Sequence, residues 1–220
     1  MRILVIAPHA DDEIIGAGGM MARSISQGDE VSVCIVTRGA EPLFSKDYMD
    51  TLRAETLACH KMMGVKETIF LEFPSVMLEE QRRYEVNDRL QKVIESIEPD
   101  EVYIPHWGDM QKDHKIVVEA AMVGLRPKYR HKVSRIYAYE TLSETGWDVP
   151  NIQNQFIPTT YVDISHYLDK KMGAMRMYAS QLAEFPAARS LGAMEALARY
   201  RGATMGMRAA EAFVLVREIR

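Results

Sequence analysis

Six short runs rich in β-branched residues, at positions 3–7, 31–37, 68–73, 101–104, 135–139 and 212–216, alternate with stretches of helical period along the chain. That alternation limits the fold more than any other feature. Apolar strands of this kind need cover on both faces, and helices between them return the chain so that successive strands run parallel. The helical stretches fall at 14–27, 50–63, 84–97 and 115–125. The third shows its buried face most clearly, with Val86, Leu90, Val93, Ile94 and Ile97 at three- and four-residue spacing. Gly28 and Gly64 stand where helix C-terminal caps belong. After Tyr139 the pattern becomes irregular, and two more helices are predicted at 169–178 and 193–205. The expectation is an α/β fold, a Rossmann-like, mostly parallel sheet with helices on both faces. One domain over residues 1–220 suffices, since 220 residues of 47% apolar content fill one sizeable core.

The formal net charge of −4 removes the usual electrostatic reason to expect a nucleic-acid or anionic-membrane partner, and leaves a small-molecule or glycan-precursor substrate. No run approaches the ~20 apolar residues of a membrane span. The apolar run at 3–7 is too short for the core of a signal peptide, which makes the cytoplasm the default location. Cys34 and Cys59, the two cysteines, belong to no CxxC pair and read as reduced core residues. Fifteen methionines, clustered between Met172 and Met177 and again at Met205 and Met207, suit adaptable core filling or a subunit contact, so a homo-oligomer is compatible with the chain.

Two segments carry chemistry. The first strand runs into Pro8-His9-Ala10-Asp11-Asp12-Glu13, which delivers four polar side chains to the strand's carboxyl end, where open α/β sheets bind ligands. His9 and Asp12 are ligand types of catalytic zinc, which typically keeps three protein ligands and one open position. The plain alternative is that Asp11 or Asp12 caps the following helix and His9 is structural. The second segment, 105–114, follows the fourth strand and reaches the same sheet edge. His114 completes a two-histidine, one-carboxylate set, and Asp113 and Asp109 are placed to orient the imidazole. The glycines at 16, 18 and 19 do not make GxGxxG, and the acidic loop before them repels a pyrophosphate.

With PHADDE followed by GAGG, then DMQKDHKIV, Arg126-Pro127, the run ending at Trp147 and the late AEAF, the sequence resembles the PIG-L-like (LmbE-like) zinc-dependent N-deacetylases over nearly its whole length. The resemblance implies one zinc per chain held by His9, Asp12 and His114, with Asp11 as catalytic base. Ala10 stands in place of the family's usual proline. Gln111 stands where many members have histidine, which makes it the candidate oxyanion donor, facing the metal from one helical turn before His114. The family's substrate arginine position holds Leu52, and Arg53, one step later, is the candidate in its place. Trp107 and Glu140 are further candidate substrate contacts, with Ser143, Glu144 and Trp147 in the same irregular segment as Glu140. The implied activity is removal of the N-acetyl group from an N-acetylglucosamine-type derivative. The alternatives are amide cleavage of a thiol conjugate, or zinc or sugar binding without turnover. His60, His131 and His166 read as surface or packing histidines, and Arg201 and Glu211 as a structural ion pair.

Overall fold

A computed structural model describes residues 1–128 and 133–220, so that His131 lies outside the described residues. The chain runs β1 (Arg2–Ala7), α1 (Asp12–Ser26), β2 (Glu30–Arg38), α2 (Lys46–Met63), β3 (Glu67–Pro74), α3 (Arg83–Ile97), β4 (Glu101–Pro105), α4 (Lys112–Gly124), β5 (Arg135–Tyr139), β6 (Thr160–Asp163), α5 (Leu168–Met177), α6 (Leu191–Ala203) and β7 (Ala210–Glu218). The strands form one sheet in the order β3-β2-β1-β4-β5-β7-β6. β1 to β5 are mutually parallel, and β7 and β6 close one edge by antiparallel pairing.

The period of two along β1 divides the core. Ile3 and Val5 pack with α1, α2, α5 and α6 on one face, while Leu4 and Ile6 pack with α3 and α4 on the other. Both faces are covered, as the continuous apolar strands require. Cys34 and Cys59 are buried free thiols in these cores, and burial pushes the Cys34 thiol up to about 12. Among the described residues no helix is long and apolar enough to cross a membrane.

Beyond small shifts at element ends, two differences from expectation stand out. α2 starts at Lys46 rather than at 50, because the Ser45 hydroxyl accepts from the Tyr48 N–H and caps the helix four residues earlier. β6 has only four residues and lies in the segment that carries no period. Arg201 and Glu211 do not pair with each other. Arg201 grips Glu140 with two hydrogen bonds, and Glu211 is buried against Lys171 and the Gly19 and Met20 N–H groups of α1.

The glycines after the first motif serve close packing. A Cβ on Gly16 would sit 2.8 Å from Cγ of Tyr139, whose hydroxyl is tied to the Ile6 carbonyl, and one on Gly19 would sit 2.7 Å from Cδ1 of Ile164. Gly16→Ala gains ~1 kcal/mol of helix propensity. The overpacking it forces costs about 1–3 kcal/mol. The expected net result is a lower urea midpoint with an unchanged m-value. A higher midpoint would mean that the Tyr139 ring yields freely.

Candidate functional site

The strand order reverses between β1 and β4, and the crevice at their carboxyl ends is where such sheets gather ligands. His9 to Asp12 leave β1 at that point, and residues 106–114 leave β4 beside them. One ligand atom each of His9, Asp12 and His114 lies within 4.8 Å of the others. Asp12 Oδ2 is 3.2 Å from both His9 Nδ1 and His114 Nε2. The far nitrogen of each imidazole is held by a separate carboxylate, His9 Nε2 by Asp113 at 3.0 Å and His114 Nδ1 by Asp109 at 2.8 Å. Asp113 also accepts from the N–H groups of Val76 and Leu78, and Asp109 from the Thr145 hydroxyl. Asp109 thus orients His114 as the sequence suggests, whereas Asp113 orients His9 instead. The reason is geometric, since adjacent residues on a helix point about 100° apart and Asp113 cannot face its neighbour.

The donor set fits a divalent cation. Two imidazoles and a carboxylate, each imidazole oriented by an outer carboxylate, make a common catalytic metal environment. Asp12 Oδ1 and His114 Nε2 are buried with no hydrogen-bond partner among the described residues. His114 Nε2 is near Asp12 yet not aligned for a hydrogen bond, as expected of two ligands aimed at a shared centre. Burial opposes charge on His114, but Asp12 and Asp109 overcome it and push its pKa up to about 10. Against the same burial, the imidazoles of His114 and His9 hold Asp12 well below the usual carboxylate range.

Asp11 is the residue before α1, in the left-handed region at φ 111°, and is fully buried. Burial, with Asp12 and Glu13 nearby, pushes its carboxyl up to about 8, against the pull of Arg189. The Arg189 Nη1 lies 3.3 Å from Asp11 Oδ2. Arg189 was not singled out from the sequence, because it sits in the loop between α5 and α6 with no motif or period around it.

Asp11, His9, Gln111 and Arg189 line one cavity of about 200 Å³, whose outer wall includes Tyr48, Arg53 and Phe70. Gln111 stands just outside α4 in extended conformation, φ −68° and ψ 136°, rather than in a helical turn with His114, yet it still borders the cavity. Arg53 lies over the Phe70 ring at 3.7 Å and pairs with Glu72, which also binds Arg38. Trp107 and Glu140 do not line this cavity. The Trp107 indole donates to the Gln153 carbonyl, and Glu140 is occupied by Arg201. Trp147 is exposed, Ser143 lies at Arg189, and burial raises the Glu144 carboxyl. His60 is buried between Glu13 and Thr68.

These shifts set a pH dependence. In protein stripped of metal, His114 contributes stability that is fully present below its unfolded pKa of ~6.5 and is lost as pH rises through about 10. Asp11, with its folded pKa raised, binds its proton more tightly than the unfolded chain does, and so loses stability as pH rises from ~4 toward about 8. Both act in the same direction between pH 6.5 and 8. The melting temperature of chelator-treated protein should therefore fall across that window, and the gain on adding a divalent cation should grow, because the cation requires deprotonated imidazoles. A melting temperature that rises with pH in the stripped protein would contradict this electrostatic account.

Comparison with known proteins adds to the geometry. The profile of the PIG-L family, described as GlcNAc-PI de-N-acetylase, matches residues 4–124, more than half of the chain. A curated relative, the probable N-acetyl-alpha-D-glucosaminyl L-malate deacetylase 2 of Bacillus cereus, is 26% identical over 193 residues, covering 82% of this chain and 83% of the relative. Among solved structures, the N,N'-diacetylchitobiose deacetylase of Pyrococcus horikoshii superposes with a TM-score of 0.80 at 24% identity, covering 97% of this chain and 83% of that one. The 4-carboxy-2-hydroxymuconate hydratase of Pseudomonas putida superposes with a TM-score of 0.79 at 20% identity, covering 100% of this chain and 98% of that one. The last two show a shared fold. One is a deacetylase and the other a hydratase, so the fold by itself does not choose the chemistry.

Proposed function

The chain belongs to the PIG-L family of GlcNAc-PI de-N-acetylases, and from that premise we propose that it is a zinc-dependent hydrolase that removes the acetyl group from the nitrogen of an N-acetylglucosamine-type amino-sugar derivative. The observation that carries this reading is the juxtaposition of Asp11, a buried carboxylate with no hydrogen-bond partner on either oxygen among the described residues, with the His9, Asp12 and His114 cluster, Asp11 and His9 lining one cavity. A site that only bound metal or sugar would not need a second buried carboxylate, costly and without a hydrogen bond on either oxygen among the described residues, beside the ligand set.

One zinc per chain, when bound, supplies Lewis acidity toward the amide carbonyl and makes water more acidic. Asp11 takes the proton of the attacking water, a task suited to a carboxyl whose proton affinity burial has raised. Gln111 donates its amide hydrogen to the carbonyl oxygen as negative charge gathers there. The proton held on Asp11 then passes to the departing sugar amine, so one carboxylate serves both halves of the reaction. Arg53 and Phe70 on the outer wall are placed for the remainder of the substrate.

The test is release of acetate and appearance of a free amine from a panel of acetamido sugars and their conjugates, with loss of turnover on chelation and recovery with zinc. Amine release from a thiol conjugate and from no acetamido sugar would favour the amidase reading. No amide turnover on any substrate, with zinc still bound, would leave a binding protein. Within the reading, Gln111→Ala should lower kcat by about 10², the equivalent of ~3 kcal/mol for one lost oxyanion donor, at nearly unchanged KM and zinc content. Gln111→His should retain activity and add a dependence on the imidazole pKa. Full turnover in the alanine variant would end the donor role.

A further inference from the structure

The aim of Asp11 does not come from hydrogen bonds to its side chain. Neither carboxylate oxygen has a hydrogen-bond partner among the described residues, and the one ion pair it makes, Oδ2 with Arg189 Nη1 at 3.3 Å, comes from a distant loop, so the backbone does most to point it into the cavity. That backbone holds φ 111°, ψ −28°, a conformation that an L-residue other than glycine keeps only when its surroundings over-determine it. The Asp11 carbonyl accepts from Ile14 and Ile15 N–H at 3.0 and 2.9 Å, the ordinary opening of α1. Its N–H is held by something else, Oε2 of Glu13 at 3.1 Å.

Glu13 is fully buried, and among the described residues no lysine or arginine pairs with it. Two further side chains converge on its other oxygen: the Tyr178 hydroxyl, which donates to Oε1 at 2.6 Å, and His60 Nε2 at 3.1 Å. His60 Nδ1 in turn meets the Thr68 hydroxyl at 2.7 Å. Burial keeps the Tyr178 phenol far above its ordinary pKa, so it remains a donor. The network joins β3, through Thr68, to α2, through His60, and to the end of α5, through Tyr178. α2 and β3 are also the walls of the cavity. Packing alone does not require a carboxylate here; a buried carboxylate is costly unless hydrogen bonds satisfy it.

We propose that Glu13 is a positioning residue that clamps the Asp11 N–H and so fixes the direction of the Asp11 carboxylate, with Tyr178 and His60 holding Glu13 in place. The role rests on Asp11 being the base of the reaction proposed above. A displacement of about 1 Å in a reacting group costs on the order of 10² in rate, so the clamp acts on turnover more than on binding.

The experiment compares Glu13→Ala, Glu13→Gln and Tyr178→Phe for kcat, KM, zinc content and the hydrogen-exchange rate of the Asp11 amide by NMR. Glu13→Ala should lower kcat by about 10² with KM and zinc content at wild-type values, and its Asp11 amide should exchange faster. Tyr178→Phe should shift both readouts in the same direction by a smaller factor, and it decides the matter if Glu13→Ala does not fold. Glu13→Gln keeps an oxygen that can accept from the Asp11 N–H and should recover most of kcat. Wild-type kcat in Glu13→Ala, or a loss of kcat matched by lost zinc and a raised KM, would overturn the proposal. So would a glutamine variant no better than alanine. If the wild-type protein deacetylates no acetamido sugar, the functional reading fails, whereas protection of the Asp11 amide and its loss in the variants still decides the clamp.

Discussion

His114→Ala should yield folded protein that retains little zinc and shows no measurable amide turnover. His114 offers one of the three proposed ligand atoms, which lie within 4.8 Å of one another, and a catalytic site left with two ligands would be underdetermined. Outer carboxylates such as Asp109 typically matter by 10–100-fold in affinity, so loss of the ligand itself should lower zinc affinity by more than about 100-fold. The residue is also buried, with Asp12 and Asp109 at 3.2 and 2.8 Å, so its removal leaves two carboxylates facing an empty space. In chelator-treated protein the variant should therefore be less stable near neutral pH than the wild type, where His114 carries its proton. Metal analysis after gel filtration, with circular dichroism to confirm the fold, separates the outcomes. Zinc content equal to wild type would remove His114 from the ligand set.

The parts of the centre that were legible in the sequence are those carried by segments leaving a strand. His9, Asp11 and Asp12 follow β1 within five residues, and His114 follows β4 within nine, so the topology of a parallel sheet brings them together wherever the helices go. The parallel order of β1 to β5 was legible for a related reason, since continuous apolar strands joined by helices have few other arrangements. Arg189 was not legible. It reaches Asp11 from a loop 178 positions away whose path depends on how α5 and α6 pack. The pairings of Arg201 with Glu140 and of Lys171 with Glu211 depend on the same packing, and sequence proximity gives no guide to it. β6 escaped notice because four residues at a sheet edge, partly exposed, leave no period to read. Glu13 was visible as part of the motif, but its three donors come from the Asp11 backbone, α2 and the residue after α5, and only the fold assembles them.

Asp11→Asn should keep the fold and the metal and lower amide turnover by ~10² or more, the range for a positioned acid–base group. The substitution is close to isosteric, and asparagine tolerates positive φ as well as aspartate does, so the backbone at φ 111° is not disturbed. The Glu13 contact uses the main-chain N–H and survives unchanged. What disappears is the capacity to accept a proton from water and to return it to the amine. The proposed ligands His9, Asp12 and His114 are untouched, so zinc content should match wild type. Arg189 loses its anionic neighbour, but its Nη1 still meets Gln181 Oε1 at 3.2 Å, which limits any loss of order in the loop. Burial raises the Asp11 carboxyl, so the wild-type protein spends stability on ionising it as pH rises toward about 8. The amide has nothing to ionise, and the stripped variant should show a flatter decline of melting temperature with pH over that range. Activity gives the complementary sign. In the wild type kcat/KM should fall on the acid side as Asp11 takes up its proton, and that limb should be missing from the small residual rate of the variant. Turnover within a few-fold of wild type, with the metal retained, would place the base on another residue, and Glu144, whose carboxyl burial also raises, would be the next to replace.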